Sequence, residues 1–384
     1  MKIGVRKEAA AGERRVAVMP DSVKRLAAKK IEVAVEPGAG VGSLVSDDDY
    51  RTAGAAVEAS PESLLASADV FLQIRPPSPE GVRLLREGST LISLLYPLVN
   101  LETVRALAAR KVTAIALDMI PRTTVAQMMD VLSSQATAAG YHSVVMAAGA
   151  LPRFFPMLMT AAGTIAPARA LILGAGVAGL TAIGTARRLG AVVEAFDVRK
   201  AVKEQVESLG AKFVEVKSDE DAQTAGGYAK EVTEEYKKRQ AEAIAAHVET
   251  ADVIICTALI PGRRAPVLVT EAMVKTMKPG SVIVDMAAEQ GGNCEGSEAG
   301  KTVVKHGVTI IGDTNLPSML AVHASQMFSR NMEKLLFHLT KDGALRIDLG
   351  EEITRGAVIT HEGAIVHAQV KEAAAGPAAE KGAA

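Results

Sequence analysis

Three glycines, Gly174, Gly176 and Gly179, stand between an apolar run and a helical pattern. In this spacing the first allows a tight turn and the second lets the backbone approach a pyrophosphate. The third lets the next helix, predicted over Leu180–Leu189, pack on the preceding strand. That helix would aim its first N–H groups at phosphate. The alternative is a tight strand–helix turn that binds no ligand.

An acidic residue follows where a nucleotide site needs one. Asp197 ends the next predicted strand, Val192–Asp197, eighteen residues after Gly179. An acid there accepts hydrogen bonds from the adenosine ribose and opposes a 2′-phosphate. Arg199 and Lys200 are close enough in sequence to offset that opposition. The pattern predicts a Rossmann-type site that prefers NAD(H) to NADP(H).

A second polar set lies upstream, in a stretch predicted to be helical from about Val125 to Ala148. It contains Arg122, Gln127, Asp130 and Ser133, the last three at three-residue steps. Such positions share a helix face, so these groups could bind a carboxamide and a ribose without supplying a titrating base. The alternative is a polar network between domains.

The usual acid–base groups of a dehydrogenase are hard to find. Oxidation of an alcohol or amine needs a base at the reacting carbon. None of the seven histidines forms a metal-like pair, and His142, His323 and His338 fall on helical patterns, where a packed or surface histidine is expected. The sequence predicts no metal site, P-loop or nucleophile elbow.

Length and composition limit the class of protein. At 384 residues the chain suits two domains, and its net charge of −1 favours neither nucleic acid nor anionic lipid as a partner. Two cysteines, Cys256 and Cys294, without a signal-peptide pattern, indicate a reducing cytoplasm. The uncharged stretch Val131–Pro152 contains many polar side chains, so we expect a buried helix and no membrane span.

The elements that position these residues alternate between strands and helices. Strands are predicted at Ile3–Val5, Ile31–Val35, Val70–Ile74, Thr90–Leu95 and Thr113–Leu117, and a capped helix starts at Pro61. The alternation begins again at Arg169, with strands at Val192–Asp197, Asp252–Thr257, Val282–Asp285 and Val308–Ile311. The predicted fold class is therefore α/β, with two α/β domains.

Two long helices are predicted to cross between these domains, the one from Val125 and a second over Met319–Leu339. If the second returns the chain to the first domain, the alternating tail segments at Ala357 and Ala364 would complete it as a hairpin. We expect a discontinuous outer domain of residues 1–125 plus 320–384. Residues 126–319, including linking helices, would form the NAD(H)-binding domain.

The charged segment Ser218–Glu242 interrupts the second domain and is too polar to be core. It predicts a mobile surface loop with Gly226 and Gly227 as a hinge and Tyr228 at its tip. The alternative is a solvated loop followed by an exposed helix.

Several motifs together resemble the NAD(H)-binding components of proton-translocating nicotinamide nucleotide transhydrogenases, over nearly the whole chain. The opening Lys7–Ala17 and Pro20 are shared with the related alanine dehydrogenases. The more specific matches are Pro121-Arg122, Ala126-Gln127, Asp130–Gln135, Thr224–Lys230 and Thr257–Gly262.

The resemblance implies roles for the matching positions. Arg122, Gln127 and Asp130 are the implied catalytic positions, at the nicotinamide ribose and carboxamide, with Gln127 tied most directly to hydride-transfer geometry. The remaining implied contacts are Ser133 at the same end, Val177 under the pyrophosphate, Asp197, Val198 and Arg199 at the adenosine ribose, Gly227 and Tyr228 on the closing loop, and Leu259 in the cleft.

The resemblance also implies an assembly and a reaction. It implies two Rossmann-like domains with the cofactor in the cleft between them, in a homodimer. NADP(H) would be held by a partner subunit and the proton channel by a membrane-embedded subunit, which would place this chain at the inner face of a bacterial membrane. Hydride passing between two nicotinamide rings is proton-balanced, which accounts for the missing base.

Two alternatives remain open. One is an alanine dehydrogenase-like oxidoreductase, although the lysine and histidine of that family are replaced by Arg75 and Tyr96 in the segments Gln73–Pro76 and Leu94–Tyr96. We expect no role for Tyr96. The other is a non-catalytic NAD(H) sensor that signals through closure of the Tyr228 loop.

Overall fold

The structure is a computed structural model and describes residues 1–216, 233–260 and 263–376. The chain forms two compact units. The first unit comprises Met1–Gln135 and Ser318–Ala384, and the second comprises Ala136–Pro317. Each unit is built on its own sheet, so the predicted α/β class with two Rossmann-like domains is confirmed.

The first unit contains an eight-stranded sheet in the order β19-β18-β6-β5-β4-β1-β2-β3. Its strands are β1 (Lys2–Val5), β2 (Glu32–Val35), β3 (Ala56–Val57), β4 (Val70–Leu72), β5 (Thr90–Ser93), β6 (Thr113–Ala116), β18 (Val358–His361) and β19 (Ala364–Ile365). The first six are parallel, and β18 is antiparallel to both β6 and β19. The predicted tail hairpin does complete this sheet.

Helices cover the first sheet on both faces, as a parallel sheet requires. They are α1 (Pro20–Ala28), α2 (Asp47–Ala53), α3 (Pro61–Ser67), α4 (Pro79–Arg83), α5 (Leu101–Ala109), α12 (Ala321–Leu339), α13 (Glu352–Ala357) and α14 (Ala368–Ala375), with a small hairpin of β16 (Thr340–Lys341) and β17 (Ala344–Leu345). Helix α3 starts at Pro61 with Ser60 as its cap, as predicted. Helix α12 is central, since Phe328, Met332 and Leu335 are fully buried.

The second unit contains a seven-stranded sheet in the order β11-β10-β9-β12-β13-β15-β14. Its strands are β9 (Arg169–Leu173), β10 (Val192–Phe196), β11 (Lys212–Phe213), β12 (Val253–Cys256), β13 (Val282–Asp285), β14 (Thr302–Lys305) and β15 (Val308–Ile311), and β7 (Leu158–Thr160) pairs separately with β8 (Gly163–Ile165). Only β14 is antiparallel in the larger sheet. The strand order reverses beside β9, which is where such sheets bind ligands.

The second unit has helices α7 (Val177–Arg188), α8 (Lys203–Ser208), α9 (Glu234–Val248) and α10 (Glu271–Val274). Helix α6 (Val131–Ala150) begins in the residues of the first unit and continues into those of the second, and the short α11 (Leu316–Met319) lies at the other boundary. Among the described residues, no helix is long and apolar enough to cross a membrane.

Two expectations were wrong in part. The helix predicted from about Val125 is interrupted, because a 3-10 turn over Ala126–Met129 ends at Asp130, whose extended backbone precedes α6. The polar segment Ser218–Glu242 was considered too polar for the core. Its last part belongs to α9, which buries Tyr236 and Gln240 on one face.

Candidate functional site

The glycine turn follows β9 and leads into α7. Gly174 has φ +102°, and a Cβ on Gly179 would lie 1.8 Å from the Gly174 carbonyl oxygen. Neither position therefore accepts a larger residue without movement of the turn. Gly176, which precedes α7, has ordinary φ of −75° and no side chain to cap the helix. The first N–H groups of α7 lack partners within the helix.

Gly176 provides a test of whether a dinucleotide fits this turn. No atom of the described part of the chain lies within 4 Å of a Cβ built on Gly176. Open space beside uncapped N–H groups is what a pyrophosphate needs, because the helix terminus attracts anions and its backbone must be approached closely. The turn fits an NAD(H) pyrophosphate, as the sequence predicts.

Asp197 follows β10, the strand next to β9, and is bound to the turn. Its Oδ2 accepts a hydrogen bond of 2.7 Å from the backbone N–H of Ala175. The guanidinium of Arg199 also donates to this carboxylate, with Nε 2.8 Å from Oδ1 and Nη2 2.7 Å from Oδ2. This hydrogen bond raises the pKa of Arg199. The predicted ribose acceptor is therefore already engaged.

Thr257, which follows β12, fixes the turn from its other side. Its hydroxyl donates to the Gly174 carbonyl oxygen at 3.0 Å and packs 3.3 Å from a Cβ built on Gly179. The next residues lead to Leu259, whose side chain is 40% exposed and available to contact a ligand. Pro261 and Gly262, from the same predicted segment, lie outside the described residues.

Asn293 holds the segment after Thr257. Its buried amide accepts from Ala258 N at 3.0 Å and donates to the carbonyl oxygens of Ala258 and Pro266 at 2.9 and 2.7 Å. Asp285 supports the neighbouring residue, because its Oδ2 accepts from Cys294 N. The position of Leu259 is thus set by buried polar groups at the ends of β12 and β13.

The second predicted set lies in the first unit, around the start of α6. Arg122 and Gln127 are exposed, whereas Asp130 and Ser133 are partly buried. Asp130 accepts from Ser133 through both the backbone N–H at 2.9 Å and the hydroxyl at 2.6 Å. Asp130 and Ser133 therefore form one cap, with Gln127 on the 3-10 turn just before it.

Asn331 of α12 positions this loop. Its amide donates to Met128 O at 2.8 Å, and its carbonyl oxygen accepts from the Ser134 hydroxyl at 2.5 Å. Asn331 was not expected from the sequence, and nor were Thr257 and Asn293 as positioning residues. The available signal for Asn331 was a polar residue on the same helical face as Phe328 and Leu335.

A buried ion cluster lies elsewhere in the first unit. Arg15 donates to Glu13 through Nε and Nη2 at 2.8 and 2.6 Å, and the two side chains are 3% and 0% exposed. Arg75 also donates to Glu13, at 3.3 Å. Glu8, close to these groups, accepts from the backbone N–H groups of Ile74 and Arg75. Both guanidinium groups are paired with the same carboxylate.

Tyr96 lies after β5 in a left-handed conformation with φ 45°. Its backbone N–H and that of Leu95 donate to Asp118 at 3.0 and 2.7 Å. Burial raises the pKa of Asp118. The backbone of Tyr96 is therefore held by a neighbouring strand end, although no role for its side chain was expected.

The remaining predictions concern metals and the mobile loop. Within the described ranges, no group of three or more metal-binding side chains could hold a metal ion. Burial lowers the pKa of His142, which favours its neutral form. Gly227 and Tyr228, the predicted closing-loop residues, lie outside the described residues, as does most of the charged segment.

Comparisons with known proteins cover almost the whole chain. A family model described as Alanine dehydrogenase/PNT, N-terminal domain matches residues 4–139, and its C-terminal counterpart matches residues 143–368. The solved structure described as transhydrogenase from Sinorhizobium meliloti superposes with a TM-score of 0.88. It has 44% sequence identity and covers 95% of this chain and 100% of that chain.

Two relatives separate the branches of this family. The chain is 51% identical over 376 residues to the first portion of NAD(P) transhydrogenase subunit alpha of Rhodospirillum rubrum, a separate protein, covering 96% of this chain and 98% of that protein. It is 31% identical over 382 residues to alanine dehydrogenase of Halomonas elongata, covering 97% and 96%. The chain belongs to the alanine dehydrogenase/PNT family and, within it, to the transhydrogenase alpha subunits.

Proposed function

We propose that this chain binds NAD(H) and exchanges hydride between it and NADP(H) held by a partner subunit. The observation that carries the proposal is the Gly174–Gly179 turn beside Asp197, at the carboxyl edge of the second unit's sheet. Its open position at Gly176 suits a pyrophosphate. The relative from Rhodospirillum rubrum is named for NAD(P) transhydrogenase, the reaction that we propose here.

The loop of the first unit suits binding of the nicotinamide end. Between Pro121 and Gln135 the sequence contains no lysine, histidine or tyrosine. Exposed Arg122 and Gln127 and the capped Asp130 can donate and accept hydrogen bonds without exchanging a proton. Transfer of hydride between two nicotinamide rings needs orientation rather than a base. We propose Arg122, Gln127, Asp130 and Ser133 for this role, with Gln127 nearest to the transfer.

An alanine dehydrogenase-like activity is disfavoured by the contacts of Arg75. This residue replaces the lysine expected for a keto acid, and its Nε is bound to buried Glu13. Glu13 also pairs with Arg15. A keto-acid carboxylate would have to displace Glu13 from both guanidinium groups, and Tyr96 stands where a histidine would serve as acid.

The proposed function is tested by mixing the purified chain with an NADP(H)-binding partner subunit. NADPH should then reduce an NAD⁺ analogue, followed by absorbance, and neither component alone should do so. Gln127→Asn should slow transfer far more than it weakens NADH binding. Absence of turnover at every partner ratio would contradict the proposal, as would NADH oxidation by this chain alone with pyruvate and ammonia.

The partner subunits are proposals of finer detail. We propose that NADP(H) lies on a separate subunit, since Asp197 opposes a 2′-phosphate at this site. A further, membrane-embedded subunit would carry the proton channel and hold this chain at the inner face of the membrane. Separate titrations with NADH and NADPH test the location of NADP(H), because equal affinity for both would contradict it.

We also propose a homodimer. The β7–β8 hairpin and the residues before it expose large apolar side chains, including Phe154, Met157 and Met159, the last 79% exposed. A two-stranded hairpin is marginal without a packing surface, and exposed apolar patches commonly mark interfaces. Met159→Glu should lower the dimer fraction in analytical ultracentrifugation, whereas the same charge at exposed Leu209 should not. An unchanged dimer fraction in Met159→Glu would exclude this surface.

A further inference from the structure

We propose that the Arg199 side chain competes with the adenosine ribose for the Asp197 carboxylate, so that it limits the affinity for NAD(H). This inference rests on the proposed NAD(H) site. It adds a specific role for Arg199, as an internal competitor that the bound dinucleotide displaces.

The geometry leaves Asp197 without spare acceptor capacity. A carboxylate offers about four lone-pair directions. Oδ1 accepts from the backbone N–H of Arg199 at 2.9 Å and from Arg199 Nε at 2.8 Å. Oδ2 accepts from the backbone N–H of Ala175 at 2.7 Å and from Arg199 Nη2 at 2.7 Å. Four donors already surround the two oxygens.

Only two of these donors can leave without changing the fold. The Ala175 N–H belongs to the glycine turn, and the Arg199 N–H lies on the main chain two residues after Asp197. The Nε and Nη2 groups sit at the end of a flexible side chain. The two hydroxyls of a ribose require two acceptor directions, which are the ones that this guanidinium occupies. Binding of the ribose therefore requires rotation of Arg199.

The burial of the pair gives this exchange a measurable cost. The Asp197 and Arg199 side chains are 7% and 17% exposed. Hydrogen bonds to charged groups at such a site are stronger than neutral ones. Removal of the guanidinium would leave Asp197 with its two backbone donors and two directions open to a ribose. A variant without it should bind NADH about tenfold more tightly.

The test compares the whole chain with Arg199→Met, which keeps part of the apolar stem, and with Arg199→Ala. Dissociation constants are measured by fluorescence titration with NADH and with reduced nicotinamide mononucleotide, which has no adenosine ribose. We expect tighter NADH binding in both variants and unchanged mononucleotide binding. Lys200→Ala, which removes a neighbouring positive charge, is the matched control and should give no gain. Thermal melting verifies that each variant is folded.

The outcomes separate the two proposals. Wild-type chain that is folded but binds no NADH contradicts the proposed function and this inference with it. NADH binding in the wild type with equal or weaker binding in both folded Arg199 variants overturns the competition alone. An equal gain for the mononucleotide would also overturn it, because the effect would then not act through the adenosine ribose.

Discussion

Gly176 and Gly179 lie in one turn but differ in what an added methyl group would meet. At Gly179 the methyl would collide with the Gly174 carbonyl, 1.8 Å away, whereas at Gly176 no described atom lies within 4 Å. We predict that Gly176→Ala keeps the melting temperature of the wild type but weakens NADH binding at least about tenfold, because the methyl occupies the pyrophosphate position. Gly179→Ala should lower the melting temperature itself.

Calorimetry and NADH titration of the two variants provide the measurement. Normal NADH affinity in a folded Gly176→Ala chain would show that no pyrophosphate lies against this residue. Equal melting temperatures for both variants would show that the contact at Gly179 relaxes without cost.

Glu8 makes the stability of the first unit depend on pH. Its pKa is raised from 4.5 to about 7, mostly because burial disfavours the charged carboxylate. Between these values the folded protein keeps a proton that the unfolded chain has lost. The free energy of unfolding therefore falls as pH rises through this window. The full effect is about 3 kcal/mol.

Urea unfolding at about pH 5 and about pH 8 tests this prediction. Glu8→Gln cannot ionise, so its free energy of unfolding should fall less than that of the wild type over the same interval. Glu58→Gln serves as a control, since Glu58 is a carboxylate whose pKa is lowered by its hydrogen bond to Lys2. Parallel pH dependences for wild type and Glu8→Gln would show that Glu8 titrates normally.

The residues of the site differ in how far sequence could predict them. The glycine turn and Asp197 follow from local spacing, because their roles depend on neighbours in one strand–turn–helix unit. Asn331 and Asn293 could not be predicted in this way. Asn331 meets Met128 across 203 residues of sequence, and Asn293 meets Ala258 across 35. Their partners are chosen by the tertiary fold.

At the scale of elements, α6 packs closely on the first turn of α7. A Cβ on Gly140 would lie 2.1 Å from the Ala178 carbonyl oxygen. We predict that Gly140→Ala pushes the start of α7 away from its position beside the turn, lowers stability and weakens NADH binding. Gly149→Ala, on the same helix with no described atom within 4 Å, should instead raise stability by about 0.5–1 kcal/mol through helix propensity.

Chemical unfolding and NADH titration of both variants measure this contact. If Gly140→Ala gained stability as Gly149→Ala is expected to, helix propensity would outweigh the close approach of the two helices. Loss of stability with normal NADH affinity would show that the start of α7 does not bind the dinucleotide.

Strands were predicted more successfully than breaks in helices. The runs of β13 and β15 are apolar throughout and match the predicted bounds, because strands buried on both faces need no polar alternation. The interruption at Asp130 was missed since it depends on a side chain that caps α6 and on Asn331 of a distant helix. The α9 segment was misjudged because its apolar residues, such as Tyr236 and Ile244, are spaced along one face among many charges.

At the scale of the molecule, each unit repeats the same alternation of strands and helices, and this much was legible in the sequence. The return of the chain to the first sheet required the tail hairpin, whose alternating residues predicted it. The pairing of β18 with β6 was not specified by that pattern, because a strand's own alternation does not identify its neighbour.

The discontinuity of the first unit leads to a prediction for the whole chain. Helix α12 contributes Phe328, Met332 and Leu335 to its core, each fully buried. Its Ser325 and Ser329 hydroxyls accept hydrogen bonds from the backbone N–H groups of Val16 and Met19. Loss of each buried apolar side chain costs about 1.5–3 kcal/mol, whereas a domain is stable by only about 5–15 kcal/mol.

A chain ending at Pro317 should therefore contain an unfolded first unit, with β6 also deprived of β18, while the second unit keeps its sheet. Hydrogen exchange should show lost protection in β1, β4 and β5 and retained protection in β9, β12 and β13. A chain ending at Gly376, which keeps α12 and β18, is the control and should exchange like the full protein. Protection retained in β1 and β4 without α12 would mean that residues 1–135 fold alone, and α12 would then only cover a core that is already formed.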